Sequence, residues 1–495
     1  MTRQPAAGSP VPARRCICAR ATRETARLSV FEKESENCLY VWHARICMRH
    51  HENAGVWSVF SGGSCPFKFV QVWGGTPAAF ARNEDTLAET MENDRMESIL
   101  LSQAVDILRS NCLKINETET IPVDEAPGRV LAQEIYAPID QPPFPRSPLD
   151  GYALRSADTE GASRETPVSL RVIDEVFAGG FCESRVTDGC AVRIMTGAPI
   201  PEGADCIIMQ EDTDYGMETV RVLRSLRPWQ NDCFAGEDYK KGSLIMRAGM
   251  RLGAAEIGVI AGMGIERIRV FRKLRALVMS TGSELACPGR ALKPGQIYDS
   301  NLHMLNAQLR MWDIEVTAGT LMDDEPERVC AFIRENADRA DIILTTGGVS
   351  VGKKDIMHDV LDILGAEKLF WKVRLKPGMP TLCGKYNGKL LIALSGNPYG
   401  AVANLHLLVR PVLAVMSGRS DLELRTETAV YENGYPKRSP VTRYVRGVYK
   451  NGRVSSSGSN DSGVLSSMIG CNCMIVIPAG TEKIEPGETV EVVLL

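Results

Sequence analysis

One stretch of the sequence combines a glycine-rich loop with polar groups that could act on a phosphorylated ligand. Residues 341–346 are mostly apolar and β-branched, which predicts a buried strand, and a helix is predicted to begin shortly afterwards. The loop between them carries Gly347, Gly348, Ser350, Gly352 and Asp355. A strand, a glycine loop and a helix N-terminus together present N–H groups to an anion. Taken alone, this stretch is also compatible with an ordinary tight βα turn.

Further polar motifs follow other predicted strands. They are Glu284, the neighbouring carboxylates Asp323 and Asp324, and the loop Gly396, Asn397 and Pro398. Each carboxylate alone is better explained as a helix cap or a solvated turn. Because ligands bind outside the carboxyl ends of parallel strands, we expect the loops to converge. Together they describe a site for a phosphorylated ligand with Mg²⁺, which prefers carboxylate and phosphate oxygens. Lys372 and Lys376 can add positive charge for that anion.

Two polar residues lie far from these loops in the sequence. Asp150 lies at the end of a proline-rich loop that precedes a predicted strand. Thr196 lies where another predicted strand is followed by a Gly/Pro loop. Without further context, Asp150 is better explained as the residue of an Asx-turn. The residues alone therefore assign no role to this pair.

The elements that must hold the motifs form an α/β segment between β-rich segments. Predicted strands at 274–280, 314–321, 341–346 and 390–394 alternate with helical patterns, which predicts a parallel sheet with helices on both faces. A helix is predicted at 98–108. Short apolar runs in 165–240 predict a β-rich module, and those after residue 418 predict a small barrel or sandwich.

Length and composition exclude several classes of protein. A chain of 495 residues is too long for one ordinary core, so two to four domains are expected. The formal net charge of −4 shows no excess of basic residues of the kind that is typical of nucleic-acid-binding proteins. No apolar run reaches the roughly 20 residues of a membrane span. The 15 cysteines include no CxxC pair, so we read them as free thiols and expect a cytoplasmic protein.

Residues 1–95 differ from the rest of the chain. They contain clustered Cys and His residues, and the first 30 positions are rich in Arg and poor in acids. A metal site and a transit peptide are possible readings, but Met91 and Met96 lie just before the first clean helical pattern. We therefore expect an appended segment, disordered or translated from an upstream start, that contributes nothing to the core.

A series of motifs then follows in a fixed order. They are PLDGYA at 148–153, MTGAPIP at 195–201, GED at 236–238, STGSEL at 280–285, GQIYDSN at 295–301, TGGVSVGKKD at 346–355, KPGMP at 376–380 and GNP at 396–398. In this order the motifs resemble those of the molybdopterin molybdenumtransferase family, which includes bacterial MoeA and the gephyrin E domain. The resemblance covers the chain from about residue 96 to the end, and residues 1–95 have no counterpart.

The resemblance implies a fold of four domains. An elongated domain would be built from residues 97–140 and 243–272, with a β-rich domain at 141–242 inserted between them. A MogA-like α/β domain would occupy 273–418 and a small β-barrel 419–495. Family members are homodimers whose cleft joins the α/β domain of one subunit to the β module of the other. This arrangement would explain why Asp150 and Thr196 belong to family motifs.

The reaction that the resemblance implies is the insertion of molybdate into adenylylated molybdopterin, with release of AMP. Asp324 and Asp355 would hold Mg²⁺, with Glu284 beside them, and Asp150 and Thr196 would complete the catalytic set. The glycine loops would bind the phosphates. The residues implied around molybdate are Lys376, Pro380, Arg446 and Ser462. The adenylyltransferase and apo-molybdoenzymes are possible protein partners.

Three positions depart from the family pattern. Met379 stands where many members have a second lysine, and Ser395 stands where proline usually precedes Gly-Asn-Pro. Residues 233–235, Cys-Phe-Ala, replace the usual basic residues. The departures put anion affinity in doubt but remove no carboxylate.

Two other functions remain to be separated from this one. A molybdopterin adenylyltransferase uses a similar α/β domain, but it would lack the module around Asp150 and Thr196 and the β tail. A non-catalytic scaffold would tolerate loss of the carboxylates, which are present here.

Overall fold

The computed structural model describes residues 98–349, 355–456 and 461–495, together with the backbone of some strands nearer the N-terminus. The chain divides into two compact units, Met1–Ser98 and Ile99–Leu495. In the first unit, β1 (Cys16–Ala21), β2 (Ala26–Ser35), β3 (Cys38–His50) and β4 (Trp57–Phe60) pair in that order as an antiparallel sheet. The sequence pattern did not predict these strands. The other positions of 1–97 lie outside the described residues, so the appended-segment reading stays a prediction.

The second unit contains helices and strands in the order expected from the sequence. Its helices are α1 (Leu101–Asn111), α2 (Ala254–Gly262), α3 (Asn301–Met311), α4 (Pro326–Asn336), α5 (Met357–Leu364), α6 (Pro398–Asn404) and α7 (Arg410–Ser417). Its strands are β5 (Thr118–Pro122), β6 (Ile135–Tyr136), β7 (Gly151–Leu154), β8 (Val168–Val176), β9 (Cys190–Ile194), β10 (Cys206–Met209), β11 (Thr219–Val222), β12 (Leu244–Met246), β13 (Arg267–Phe271), β14 (Arg275–Thr281), β15 (Leu285–Ala286), β16 (Ile297–Tyr298), β17 (Glu315–Met322), β18 (Ile342–Thr346), β19 (Glu367–Trp371), β20 (Leu375–Lys376), β21 (Leu382–Tyr386), β22 (Lys389–Leu394), β23 (Arg425–Tyr431), β24 (Thr442–Lys450), β25 (Arg453–Ser456), β26 (Cys473–Ile477) and β27 (Thr489–Leu494).

The α/β domain is built on a six-stranded sheet in the order β17-β14-β18-β22-β21-β19. The first four strands are parallel, as predicted. The prediction of an all-parallel sheet was wrong at the other edge, where β21 pairs antiparallel with β22, and β19 with β21. β19 and β21 are joined by the loop that contains Lys376, so the missed strands also position part of the site.

Helices cover both faces of this sheet, and the side chains of each strand alternate between them. Leu277, Ile343 and Leu391 pack with α4 and α5. The neighbouring Val278 and Ile342 pack on the other face, with α3, α6 and α7. Because every position of the central strands meets a helix layer, their sequences read as continuous apolar runs.

The helix that follows the Gly-Asn-Pro loop is a long core helix. It runs from Pro398 to Ser417 through a π-helical turn at Leu405–Val409. The helix has 20 residues, and an 18-residue window within it has a mean hydropathy of 1.4, which suits a membrane span by length and composition, but 83% of that window is buried inside the protein. The helix therefore serves the α/β core, where it orients the loop at its N-terminal end.

The two segments on either side of the β-rich module join each other. β5 pairs with β13 and β6 with β12, over a core that includes Leu131, Leu252 and Ile260. Helix α1 packs elsewhere, since Ala104 and Leu108 are buried in the α/β core. The exact domain limits stay predictions.

The β-rich module and the C-terminal domain match the predicted strand content. The module is a five-stranded sheet in the order β10-β7-β9-β8-β11, with apolar cores on both faces. The C-terminal sheet runs β20-β24-β25-β23-β27-β26, and an additional pairing of β24 with β26 closes it into a barrel. The short strand β20 comes from the α/β domain and places Lys376 beside Arg443 in register.

Candidate active site

A cavity of about 840 Å³ opens at the carboxyl edge of the parallel strands, between the α/β domain and the barrel. Its walls come from the loops after β14, β18 and β22, from the segment around β20, and from barrel residues 437–446 and 461–462. The predicted site residues in its lining are Glu284, Asp324, Gly347, Gly348, Asp355, Lys376, Pro380, Gly396, Asn397, Pro398, Arg446 and Ser462. The convergence expected from the sequence is therefore present.

Two glycine loops meet at the base of this cavity. Gly347 has φ +94° and Gly348 φ +64°, in the left-handed region that favours glycine. A Cβ on Gly347 would lie 2.2 Å from the carbonyl oxygen of Thr281, and one on Gly396 would lie 3.4 Å from the Cα of Gly347. The packing leaves no room for a side chain at Gly347, whereas a Cβ on Gly396 would make ordinary van der Waals contact. Both glycines line the cavity and present only backbone there.

Three of the carboxylates that line the cavity lie in different environments. Glu284 is exposed, whereas Asp324 accepts a hydrogen bond from the N–H of Ser283 at 3.0 Å. Asp355 is partly buried, and its Oδ1 has no hydrogen-bond partner among the described residues. Burial raises the pKa of Asp355, a backbone hydrogen bond from Met357 lowers it, and the charge of Asp359 raises it; together they bring the pKa to about 6. An unpaired buried carboxylate facing a cavity favours a cation there.

The opposite wall carries positive charge. Arg446 is only 1% exposed, donates from Nη2 to the carbonyl of Asp461 at 2.6 Å, and lies over the Tyr399 ring at 4.4 Å. Burial lowers the pKa of its guanidinium. Lys376, Lys437 and Arg443 line the same wall. The cavity thus brings together glycine loops and carboxylates of the α/β domain with cations of β20 and the barrel.

Sequence reasoning missed Lys437 and Arg443. Both belong to the barrel. The pairing of β20 with β24 brings Arg443 to Lys376, and that pairing is not visible in the sequence. The run of basic residues at 437, 438, 443 and 446 was the signal that could have pointed to them.

Some predicted residues do not line this cavity. Asp150 and Thr196 lie together in the β-rich module, where Asp150 Oδ1 accepts hydrogen bonds from the Thr196 N–H at 2.7 Å and hydroxyl at 2.8 Å. These bonds lower the pKa of Asp150. Ser350 and Gly352 lie outside the described residues.

Lys372 was expected to add charge at the anion site. It is not among the described residues that line the cavity: its side chain is buried, and its ammonium lies 3.9 Å from the Trp371 ring centroid. Its role at the anion site stays a prediction. The residue has φ +63°, which turns the chain away between β19 and β20.

Three family models match the chain. Residues 99–264 match the MoeA N-terminal region (domain I and II), residues 277–415 a probable molybdopterin binding domain, and residues 428–495 the MoeA C-terminal region (domain IV). A molybdopterin molybdenumtransferase of Staphylococcus epidermidis is 34% identical over 408 residues, which cover 82% of this chain and 97% of the relative. This chain belongs to the molybdopterin molybdenumtransferase family.

Other relatives agree with that assignment. The molybdopterin molybdenumtransferase of Bacillus subtilis is 36% identical over 394 residues, 77% of this chain and 91% of the relative. The crystal structure of the molybdopterin biosynthesis protein MoeA from Pyrococcus horikoshii is 30% identical, with a TM-score of 0.69, and covers 81% of this chain and 100% of that one. The matched fold includes a molybdopterin-binding α/β domain and the C-terminal β-barrel.

The structure shows the contacts of the three positions that depart from the family motifs. Met379 lines the cavity but brings no charge. Ser395 is buried, and its hydroxyl accepts a hydrogen bond from the N–H of Asn397 at 3.3 Å, so the serine itself holds the turn before α6. At the third departure, a hydrogen bond with Glu237 raises the pKa of the Cys233 thiol.

Proposed function

We propose that this chain inserts molybdate into adenylylated molybdopterin, with hydrolysis of the phosphoanhydride and release of AMP. The observation that carries the proposal is one cavity that is lined by glycine loops, carboxylates and cations together. The chain's family membership supports molybdopterin as the substrate. The binding steps below are derived from the residues of this cavity.

Phosphate groups of the substrate bind at the glycine loops. The backbone of Gly347, Gly348 and Gly396 is uncovered by side chains, and a helix begins directly after Asn397, with Pro398 at its first position. Backbone N–H groups and the positive end of a helix dipole favour a phosphate at such a place. This cradle holds the phosphoanhydride between the acidic and basic walls.

Mg²⁺ is the cofactor that the acidic wall suits. Among the described residues no group of three or more His, Cys, Asp and Glu side chains could hold a metal. Mg²⁺ does not need one, because it is commonly held by one or two carboxylates plus substrate phosphates and waters. The unpaired Oδ1 of Asp355 fits this role, with Asp324 as the second ligand and Glu284 nearby. When bound, the ion offsets charge on the phosphate oxygens.

Molybdate binds at the basic wall. It is a dianion and needs positive charge and hydrogen-bond donors, which Lys376, Arg443 and Arg446 supply. Ser462 adds a hydroxyl at the same wall. Because Arg446 is buried and held by Asp461 and Tyr399, its guanidinium is oriented before the anion arrives.

We also propose that the active assembly is a homodimer. Asp150 and Thr196 are exposed polar groups, fixed to each other, that lie outside the cavity of their own chain. A second subunit could bring this pair to the mouth of the cavity, and closed two-fold symmetry is the commonest form of such an assembly. The pair then completes the catalytic set from across the interface.

The test is molybdate-dependent release of AMP from adenylylated molybdopterin. We expect AMP release that requires both Mg²⁺ and molybdate, and no formation of the adenylate from ATP and molybdopterin. Synthesis of the adenylate would identify an adenylyltransferase instead. Absence of AMP release under all conditions would favour a non-catalytic scaffold and refute the proposal.

A further inference from the structure

We propose that Asp299 and Asn301 recognise the amino-pyrimidinone edge of the pterin. They would be specificity-determining residues for the half of the substrate that receives the metal. This inference rests on the proposed function, since it concerns the same cavity and the same substrate. It starts from buried acceptor atoms in the cavity wall that the binding of phosphate, Mg²⁺ and molybdate does not use.

Asp299 has two carboxylate oxygens in different situations. Oδ1 accepts a hydrogen bond from the N–H of Leu302 at 3.2 Å, at the start of α3. Oδ2 has no hydrogen-bond partner among the described residues, although Asp299 is only 4% exposed and lines the cavity. The helix cap therefore explains one oxygen and leaves the other for a ligand.

The amide of Asn301 is fixed with its oxygen unused. Its Nδ2 donates to the Thr346 hydroxyl at 2.9 Å and to the Gly396 carbonyl at 2.8 Å. The Thr346 hydroxyl donates its own proton to the carbonyl of Ser395, so it must accept from Asn301. These bonds set the orientation of the amide. Asn301 Oδ1 remains buried without a partner among the described residues.

Two hydroxyls lie in the same wall. Ser280 Oγ and Thr281 Oγ1 are buried, line the cavity, and have no hydrogen-bond partner among the described residues. Buried polar groups are nearly always paired, with protein or with bound molecules. Four such atoms on one cavity wall therefore indicate a polar ligand that donates hydrogen bonds.

The pterin is the part of the substrate with the matching donors. Its 2-amino group and the neighbouring ring N–H point in one direction, so they can reach a carboxylate oxygen and an amide oxygen together. Molybdate and the phosphates carry acceptors and negative charge, which a carboxylate repels. The adenine edge places a donor beside an acceptor and matches two acceptors less well. Asp299 and Asn301 consequently favour the pterin over the other parts of the substrate.

The first experiment is the substitution Asp299→Asn. The asparagine oxygen can still accept from the Leu302 N–H, whereas its amide turns a donor toward the cavity. We expect KM for the adenylylated pterin to rise about ten- to hundredfold, the loss of a hydrogen bond to a charged group. Inhibition by AMP should be unchanged. Asp338→Asn, at an exposed position outside the cavity lining, is the control for the charge change.

The second experiment replaces the ligand's amino group. Wild type should bind 6-hydroxymethylpterin more tightly than 6-hydroxymethyllumazine, in which an oxygen replaces the 2-amino group. Asp299→Asn should reduce or reverse that preference, because its amide can donate to the new oxygen. A purely structural role for Asp299 would not change the preference between the two ligands.

The outcomes separate the two proposals. If wild type releases AMP normally but shows no preference for the pterin, or binds neither compound, the role of Asp299 and Asn301 is refuted. An unchanged KM in Asp299→Asn refutes it as well. If wild type never consumes the adenylylated pterin but still prefers the pterin over the lumazine, the proposed reaction fails while this subsite stands.

Discussion

Replacing Asp355 by asparagine should make the protein more stable and inactive at the same time. Burial raises the pKa of Asp355 from 3.8 to about 6, so the folded protein keeps an unfavourable charge at pH 7.5 in the absence of metal. A shift of this size corresponds to about 3 kcal/mol, and to about 1–2 kcal/mol after allowance for the partial exposure of the group. The asparagine side chain would carry no charge and could still accept the hydrogen bond from Met357.

The sign of the pH dependence follows from the direction of the shift. Because the pKa of Asp355 is raised on folding, its contribution to stability is fully present below pH 3.8 and is lost as the pH rises through about 6. The stabilising effect of Asp355→Asn should therefore be largest above pH 7 and vanish toward pH 4. Urea unfolding at several pH values in EDTA measures it. Asp362→Asn, an exposed change on the same helix, is the control.

Turnover should fall in Asp355→Asn, although its stability rises. If Asp355 holds Mg²⁺ at the phosphoanhydride, its loss removes several kcal/mol of charge stabilisation, or about a hundredfold or more in AMP release. Binding of the adenylylated pterin should survive, because the backbone of Gly347 and Gly348 is unchanged. Near-normal AMP release at saturating Mg²⁺ would show that the carboxylate is structural, and the metal site would then have to move to Asp324 and Glu284.

Three further predictions concern other parts of the chain. Burial lowers the pKa of His406 to about 3, so the unfolded state alone takes up a proton between pH 7.5 and pH 5. The free energy of unfolding of wild type should therefore fall by about 2 kcal/mol over that range. In urea unfolding, His406→Leu should lack this pH dependence, whereas the exposed His303→Asn should keep it. A chain that begins at Met96 should melt at the same temperature as the full chain, and a loss of several degrees in calorimetry would contradict the appended-segment reading. Light scattering at micromolar concentration should give twice the 54.2 kDa chain mass, and a monomer mass would refute the shared cleft.

The sequence predicted those parts of the fold that local patterns specify. Buried parallel strands such as Ile342–Thr346 appear as apolar β-branched runs, and Gly365 ends its helix with φ +65°, as a C-cap glycine should. The strand Leu382–Tyr386 was missed because Gly384 and Lys385 interrupt its apolar pattern. Its place in the sheet depends on pairing with a neighbour, which composition does not reveal.

The site likewise has features that local sequence patterns predict and features that depend on tertiary contacts. The glycine loops and carboxylates were predictable because each follows a strand, and one edge of a parallel sheet collects them. The position of Lys372 depends on one left-handed backbone conformation, which the sequence does not show. In the sequence, Asp299 stood out as part of the motif GQIYDSN at 295–301, and the hydrogen bond from the Leu302 N–H accounts for one of its oxygens. An atom left without a partner becomes visible only when its neighbours are known.

The two-residue strand at Leu375–Lys376 gives the cavity its second wall. It leaves the α/β domain and pairs with Thr442–Lys450 of the barrel, so that Lys376 lies opposite Arg443. Two like charges repel each other when they are neighbours on paired strands, and this arrangement is costly unless an anion lies between or beside them. The repulsion between Lys376 and Arg443 arises where the barrel meets the sheet edge, and in the proposed reaction molybdate is the dianion that would offset it. The barrel thus supplies the basic wall, and the sheet supplies the carboxylates and glycine loops.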